Sequence, residues 1–260
     1  MSEVEGGNYM DHFYVIKWKR WRNWIVLSLA LFTAIFIWVQ QDNVFSVFTA
    51  EKSAALSKGS AKEPAIALTF NISWGEEKAL DILDELSEQG VKATFFVSGE
   101  WAERHPDILK RITEDKHELG MLGYRYKSYL DQELSQVRKD LDYAREVFGK
   151  LGYSEVNLLR TPSGHFNKEI LDLAESMDFE VIHWNVNPND WENPGASAIV
   201  DTVMKETDNG AIVLLHASDS AKHTAEALRT ILPGLKNKGY LPVTVSEMMN
   251  QAHADTKLVE

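Results

Sequence analysis

From Glu63 onward the apolar positions alternate between two periods. Short, nearly continuous apolar runs read as buried strands, and between them apolar residues recur at three- and four-residue spacing, the period of an amphipathic helix. Ile66 to Phe70 reads as a strand, followed by a helix over 76–89 with Ala79, Ile82, Leu83 and Leu86 on one face and Gly90 as its stop. A strand over 93–97 precedes a helix through Ile108, Leu109 and Ile112; 117–122 is short and ambiguous; 131–150 is a long helix with Leu134, Val137, Leu141 and Ala144 inward. The pattern continues as strand 156–160, helix 167–177, strand 179–186, helix 196–207, strand 211–215, helix 222–238 and a last strand near 241–244. Strands alternating with helices of this length predict βαβ units and a parallel sheet, as a barrel or a doubly wound sheet. In either architecture, ligand sites belong at the carboxyl ends of the strands.

The N-terminal quarter has a different pattern. Trp24 to Val39 is apolar and uncharged, and with its uncharged flanks covers about 19 residues, close to the roughly 20 of a spanning helix. Lys17, Lys19, Arg20 and Arg22 precede it, and Trp18, Trp21, Trp24 and Trp38 flank it like interfacial aromatics. The stretch ends in Val39-Gln40-Gln41-Asp42, a poor small-residue cleavage site, so it reads as an uncleaved anchor. The expected organisation is a cytoplasmic basic segment (1–22), a transmembrane anchor (23–41), a tether rich in Ser, Ala and Lys (42–61), an α/β domain (62–250) outside the cytoplasm and a polar tail (251–260). Met10 is an alternative start.

Composition narrows the chemistry. With 44% hydrophobic and 25% charged residues the 260-residue chain can bury a full core. It has no cysteine, which removes disulfides, thiolate nucleophiles and thiolate zinc sites. A formal net charge of −12 opposes nucleic-acid binding. Phosphate-cradling glycine loops, serine elbows and clustered His/Asp metal motifs are absent from the sequence.

The residues that end the strands carry what chemistry there is: Asn71, Ser98-Gly99-Glu100, Arg160, the turn from Asn187 to Trp191, and His216. An arginine, an aspartate and a histidine on one rim can supply a cation for developing charge, an orienting carboxylate and a general acid. Each also has a structural reading: His216 as a satisfied histidine after a buried strand, Asp190 as a turn cap, Arg160 as a partner to a nearby carboxylate. Their ordered recurrence at successive strand ends points to a site. His105, His117, His165, His223 and His253 read as surface, turn or tail residues.

I-A-L-T-F-N, A-T-F-F-V-S-G-E-W-A, H-E-L-G, R-T-P-S-G (Arg160 to Gly164), N-D-W and I-V-L-L-H, in this order, resemble the polysaccharide deacetylases with a NodB-homology domain. F-N-I-S-W-G-E and L-L-H-A-S-D-S-A-K place the resemblance nearest the sporulation branch. It implies a distorted (β/α) barrel over roughly 62–250, with metal-assisted removal of N-acetyl groups from cell-wall or spore-cortex glycan. In that family's pattern His216 is the general acid, Asp190-Trp191 the aspartate-tryptophan pair, and Arg160 the residue that orients the base. Trp74, Trp191, Pro162 and Gly164 are then expected to bind substrate. The base falls on Asn71, and the ligands of the family's divalent metal, such as zinc, fall on Ile72, Leu122 and Tyr126.

An amide cannot take a proton from water, and isoleucine and leucine offer no lone pair to a cation. The metal mechanism therefore does not transfer with the resemblance, and no cofactor is assigned from these residues. Two functions remain as expectations: a deacetylase with a modified site, in which Glu76 or Glu100 replaces the lost carboxylate, or a non-catalytic protein that binds glycan through Trp74 and Trp191. Partner binding in a spore-envelope complex is a third, with no patch singled out for it.

Overall fold

A computed structural model describes residues 54–257, and side chains through Gln251. The expected anchor at 23–41 lies outside the described residues. Among the described residues, no helix is long and apolar enough to cross a membrane.

The described chain is an α/β fold around a parallel sheet. Its strands are β1 (Ala55–Leu56), β2 (Ala65–Ile72), β3 (Thr94–Val97), β4 (Glu118–Met121), β5 (Leu158–Leu159), β6 (Glu180–Ile182), β7 (Ile212–His216) and β8 (Leu241–Val243). Their spatial order is β1-β6-β5-β4-β3-β2-β7, with β8 also paired to β2. Val186, just after β6, bridges Val213 of β7, so the path of strands meets itself. The α-helices are α1 (Glu77–Gln89), α2 (Gly99–Arg104), α3 (Pro106–Glu114), α4 (Leu134–Lys150), α5 (Lys168–Ser176), α6 (Ala196–Glu206), α7 (Thr224–Asn237) and α8 (Val245–Lys257), and short 3₁₀ turns lie at Tyr129–Asp131, Pro162–Gly164 and Asp190–Glu192.

Strand alternation sorts the residues of β2 between two cores. Ile66, Leu68, Phe70 and Ile72 join the large cluster beneath the helices. Ala67 joins a smaller one with Phe96, Leu122, Leu158, Ile182 and Ile212, plugged by Val245 and Met248 of α8. Thr69 and Asn71 share the inward phase of Ala67, and Asn71 stands at register with His216 of β7 and Phe96 of β3. That alignment sets three side-chain positions at one level near the strand ends.

Most predicted elements form, with shorter strands than their apolar runs suggest: 179–186 contracts to β6, and 156–160 to β5. In the first, His183 and Trp184 leave the ladder and stack on each other, with ring centroids 3.9 Å apart. The helix through Ile108 forms as α3, opened by the ring of Pro106, and a separate short helix, α2, precedes it. Ala55–Leu56, within the expected tether, pairs in parallel with Val181–Ile182. Residues 245–257 are helical, although the sequence pattern suggests a polar tail from 251.

His117 lies behind β3, 6% exposed. Its Nδ1 accepts the Ala93 N–H at 3.2 Å, and its Nε2 has no partner. Burial holds its pKa down at about 4, opposed by Asp115 and assisted by Arg111 and Lys92. Because the unfolded chain binds this proton near pH 6.5 and the folded one does not, stability is full above that pH and falls as pH drops toward 4. The shift corresponds to about 3 kcal/mol. Urea unfolding of wild type should therefore lose stability between pH 6.5 and 4, and His117→Gln should flatten that part of the profile; an equally steep profile in the variant would refute the assignment.

Candidate active site

Arg160 follows β5 and is 1% exposed. Its Nε donates to Ile182 O at 3.2 Å, its Nη2 to His183 O at 3.1 Å, and its Nη1 to Asn71 Oδ1 at 3.0 Å. The guanidinium carbon lies 4.0 Å from the Phe96 ring centroid and 5.4 Å from that of Trp184. Two glycines make this packing fit. A Cβ on Gly120 would meet the Phe96 ring at 2.5 Å, and one on Gly164 would meet the Trp184 ring at 2.2 Å. Among the described residues, no carboxylate hydrogen-bonds this guanidinium, and burial lowers its pKa to about 9. Where the family pattern has an acid, Asn71 supplies only a neutral amide oxygen to it.

The other half of the site is an aspartate–histidine hydrogen bond. His216 ends β7 and its Nδ1 donates to Asp190 Oδ1 at 2.8 Å. Asp190 is fully buried in a short 3₁₀ turn, and its Oδ2 accepts the His216 N–H and the Thr224 hydroxyl, each at 2.7 Å. Three donors thus hold this carboxylate as an acceptor and fix the histidine tautomer, leaving Nε2 as the free ring nitrogen. Thr224, at the start of α7, is not foreseeable from the sequence; a hydroxyl at a helix N-terminus carries no sign of which carboxylate it reaches.

Both halves border one cavity of about 640 Å³, lined by Asn71, Ser73, Trp74, Tyr126, Ser163, His165, Trp184, Asn187, Asn189, Trp191, Leu214, His216, Ser218 and Ser220. Trp74 and Trp191 are 58% and 52% exposed, so their faces are open to a ligand. Pro162 and Gly164 are buried, and Ser163 between them faces the cavity in a left-handed conformation with φ 63°. His165 lines the cavity, whereas His223 pairs with Glu226 at 3.6 Å on α7.

Among the described residues, no carboxylate lines this cavity. The two acids expected as replacements are engaged elsewhere: Glu76 pairs with His105 at 3.2 Å and Glu100 with Arg104 at 2.9 Å. The positions expected to ligate a metal do not fit one. Ile72 and Leu122 are fully buried hydrocarbon, in the outer and inner cores respectively. Tyr126 is a phenol beside Ser163 whose pKa is raised by desolvation. Among the described residues, no three His, Cys, Asp or Glu side chains converge to hold an ion.

The uncompensated guanidinium gives a direct test. Asn71→Asp places a carboxylate at 3.0 Å from a cation whose desolvation is already incurred in the fold. Stability at pH 7 should rise by about 1 kcal/mol, the excess of a charge–charge hydrogen bond over the charge–amide bond already present. Arg160 depresses the new carboxyl's pKa, so the gain is present above the unfolded value and lost as pH falls through the folded one. Denaturant midpoints at pH 7 and pH 3 check this, and an unchanged or lower midpoint at pH 7 contradicts it.

Residues 58–182 match the family model described as polysaccharide deacetylase. The chain is 33% identical over 196 residues to a peptidoglycan-N-acetylglucosamine deacetylase of Bacillus cereus, covering 74% of this chain and 91% of that one. It is 31% identical over 194 residues to the uncharacterised Bacillus subtilis protein YlxY, covering 75% of this chain and spanning 60% of that protein. Among solved structures it resembles a CE4 family pseudoenzyme from Bacillus anthracis, with TM-score 0.71, 30% identity, and 75% of this chain and 69% of that one covered. A mutant of that pseudoenzyme has restored enzymatic activity. By fold, motif order and these likenesses, the chain belongs to the polysaccharide deacetylase family.

Proposed function

We propose that this protein binds an N-acetylated cell-wall glycan without hydrolysing it by the metal-assisted route of its family. One observation carries this reading: a cavity open to two tryptophan faces, furnished with amides, hydroxyls and imidazoles, and lacking a lining carboxylate among the described residues. Aromatic faces stack on sugar rings, and neutral amide and hydroxyl groups exchange hydrogen bonds with sugar hydroxyls. Asn71, tied to Arg160, has no oxygen able to take a proton from water. Peptidoglycan is the glycan favoured, because a relative covered over nine-tenths of its length is a peptidoglycan deacetylase.

A second reading is favoured by the Asp190–His216 pair, whose geometry suits a general acid. On that reading the protein is a weak deacetylase. It requires a base that the cavity lining does not provide, so binding is preferred.

The finer identity rests on the sequence motifs. Phe70-Asn71-Ile72-Ser73-Trp74-Gly75-Glu76 and the run from Leu214 to Lys222 support a place in the sporulation branch, near the deacetylase PdaB, on spore-cortex glycan. The meeting of the strand path at Val186 and Val213 supports the distorted barrel of the NodB-homology type. The basic run before the apolar stretch 24–39 supports a single-pass anchor with this domain outside the cytoplasm.

Isothermal titration with peptidoglycan fragments, beside an acetate-release assay with and without added zinc, tests the proposal. Binding should survive His216→Ala. It should weaken about tenfold in Trp74→Ala or Trp191→Ala, the scale of a lost aromatic contact. Acetate release by wild type above His216→Ala would favour the weak enzyme. Absence of binding to any wall fragment would remove both readings.

A further inference from the structure

The loop after β7, Ala217 to Lys222, has no part in the chemistry of the Asp190–His216 pair or of Arg160, yet it touches both segments that carry the exposed tryptophans. Toward Trp74, the Ser218 hydroxyl accepts the Ser73 N–H at 3.2 Å. Asp219 accepts the Glu76 N–H at 3.2 Å with Oδ2 and the Lys78 N–H at 2.9 Å with Oδ1. These amides open α1, whose own N-cap residue, Glu76, makes no side-chain cap. Gly75 permits the approach: it has φ +78°, and a Cβ there would lie 2.2 Å from Asp219 Cγ. The Trp101 indole N–H, donating to Gly75 O, anchors the same turn from α2.

Toward Trp191, the link runs through Asn193. Its Nδ2 donates to Ser220 O at 2.9 Å, and its Oδ1 accepts the Lys222 N–H at 2.8 Å. Asn193 holds a left-handed conformation at φ 57°, which asparagine tolerates better than most residues. A short loop thus makes side-chain and backbone hydrogen bonds on one flank to the turn bearing Trp74 and on the other to the turn bearing Trp191.

We infer that this loop is a clamp that presets the spacing of Trp74 and Trp191, so that the two rings receive successive sugars of one glycan chain, with Asp219 and Asn193 as its positioning residues. The clamp rests on the glycan-binding reading and adds what sets ligand length. Neither residue lines the cavity. They act through the tryptophans, by removing the ordering cost those side chains would otherwise meet on binding.

The test compares the β-1,4-linked N-acetylglucosamine disaccharide and tetrasaccharide with the monosaccharide, by titration on the full-length protein. In wild type the longer ligands should bind more tightly. Asp219→Ala and Asn193→Ala should each reduce that length increment by about three- to tenfold, the scale of one side chain's ordering cost. Asp219→Asn, which keeps an acceptor oxygen, should restore part of it. Hydrogen exchange should quicken at Glu76 and Lys78 in Asp219→Ala, and at Lys222 in Asn193→Ala. Unchanged exchange, or an unchanged length increment beside a lowered melting temperature, overturns the clamp while leaving glycan binding intact. A wild-type protein that binds neither oligosaccharide overturns the glycan reading and the clamp together.

Discussion

The buried guanidinium of Arg160 is the constraint around which the site is arranged. A cation fully removed from water must find acceptors for its donors or lose its proton. Here it finds two main-chain carbonyls at the end of β6, the amide oxygen at the end of β2 and the faces of two aromatic rings. Each acceptor ties down a piece of the fold. Ile182 and His183 have carbonyls turned to the arginine where the β6 ladder ends. Phe96 keeps its place because Gly120 has no side chain, and Trp184 because Gly164 has none. Asn71 completes the set, with its amide oxygen committed to the arginine. Asn71 is thus a structural acceptor.

The two halves of the site are supported by separate parts of the fold. The Asp190–His216 pair is held by donors from β7 and α7, apart from the hydrogen bond that joins Asn71 to Arg160. Leu122 is part of the inner core with Phe96 and Leu158, so hydrocarbon there consolidates the sheet.

The βαβ alternation and the strand-end residues can be read from the chain because both depend on local periodicity and on order. Arg160, Asp190 and His216 are recognisable on those grounds, whereas a mismatch at Asn71 is implied only by the family resemblance. The Asp219 contacts are not, because they cap a helix 141 residues earlier in the chain, and a cap so distant leaves no spacing to detect. β1 is hidden by its length of two residues, too short for alternation to register. α8 does carry a local signal that the tail's polarity masks: Thr244 and Glu247 exchange side chain and backbone hydrogen bonds in a capping box, the S/T-x-x-E signature of a helix start. Glu76 and Glu100 stand near the strand ends in sequence, but each turns to a basic neighbour, a choice that proximity along the chain does not reveal.

The two-residue strand β1 also sets a mechanical path. Leu56 O accepts the His183 N–H at 2.7 Å, and the carbonyl of that same His183 accepts from Arg160. Tension on the chain leading into Ala55 therefore reaches the arginine across two hydrogen bonds and the backbone of one residue. β1 and the buried guanidinium thus lie on one line of force.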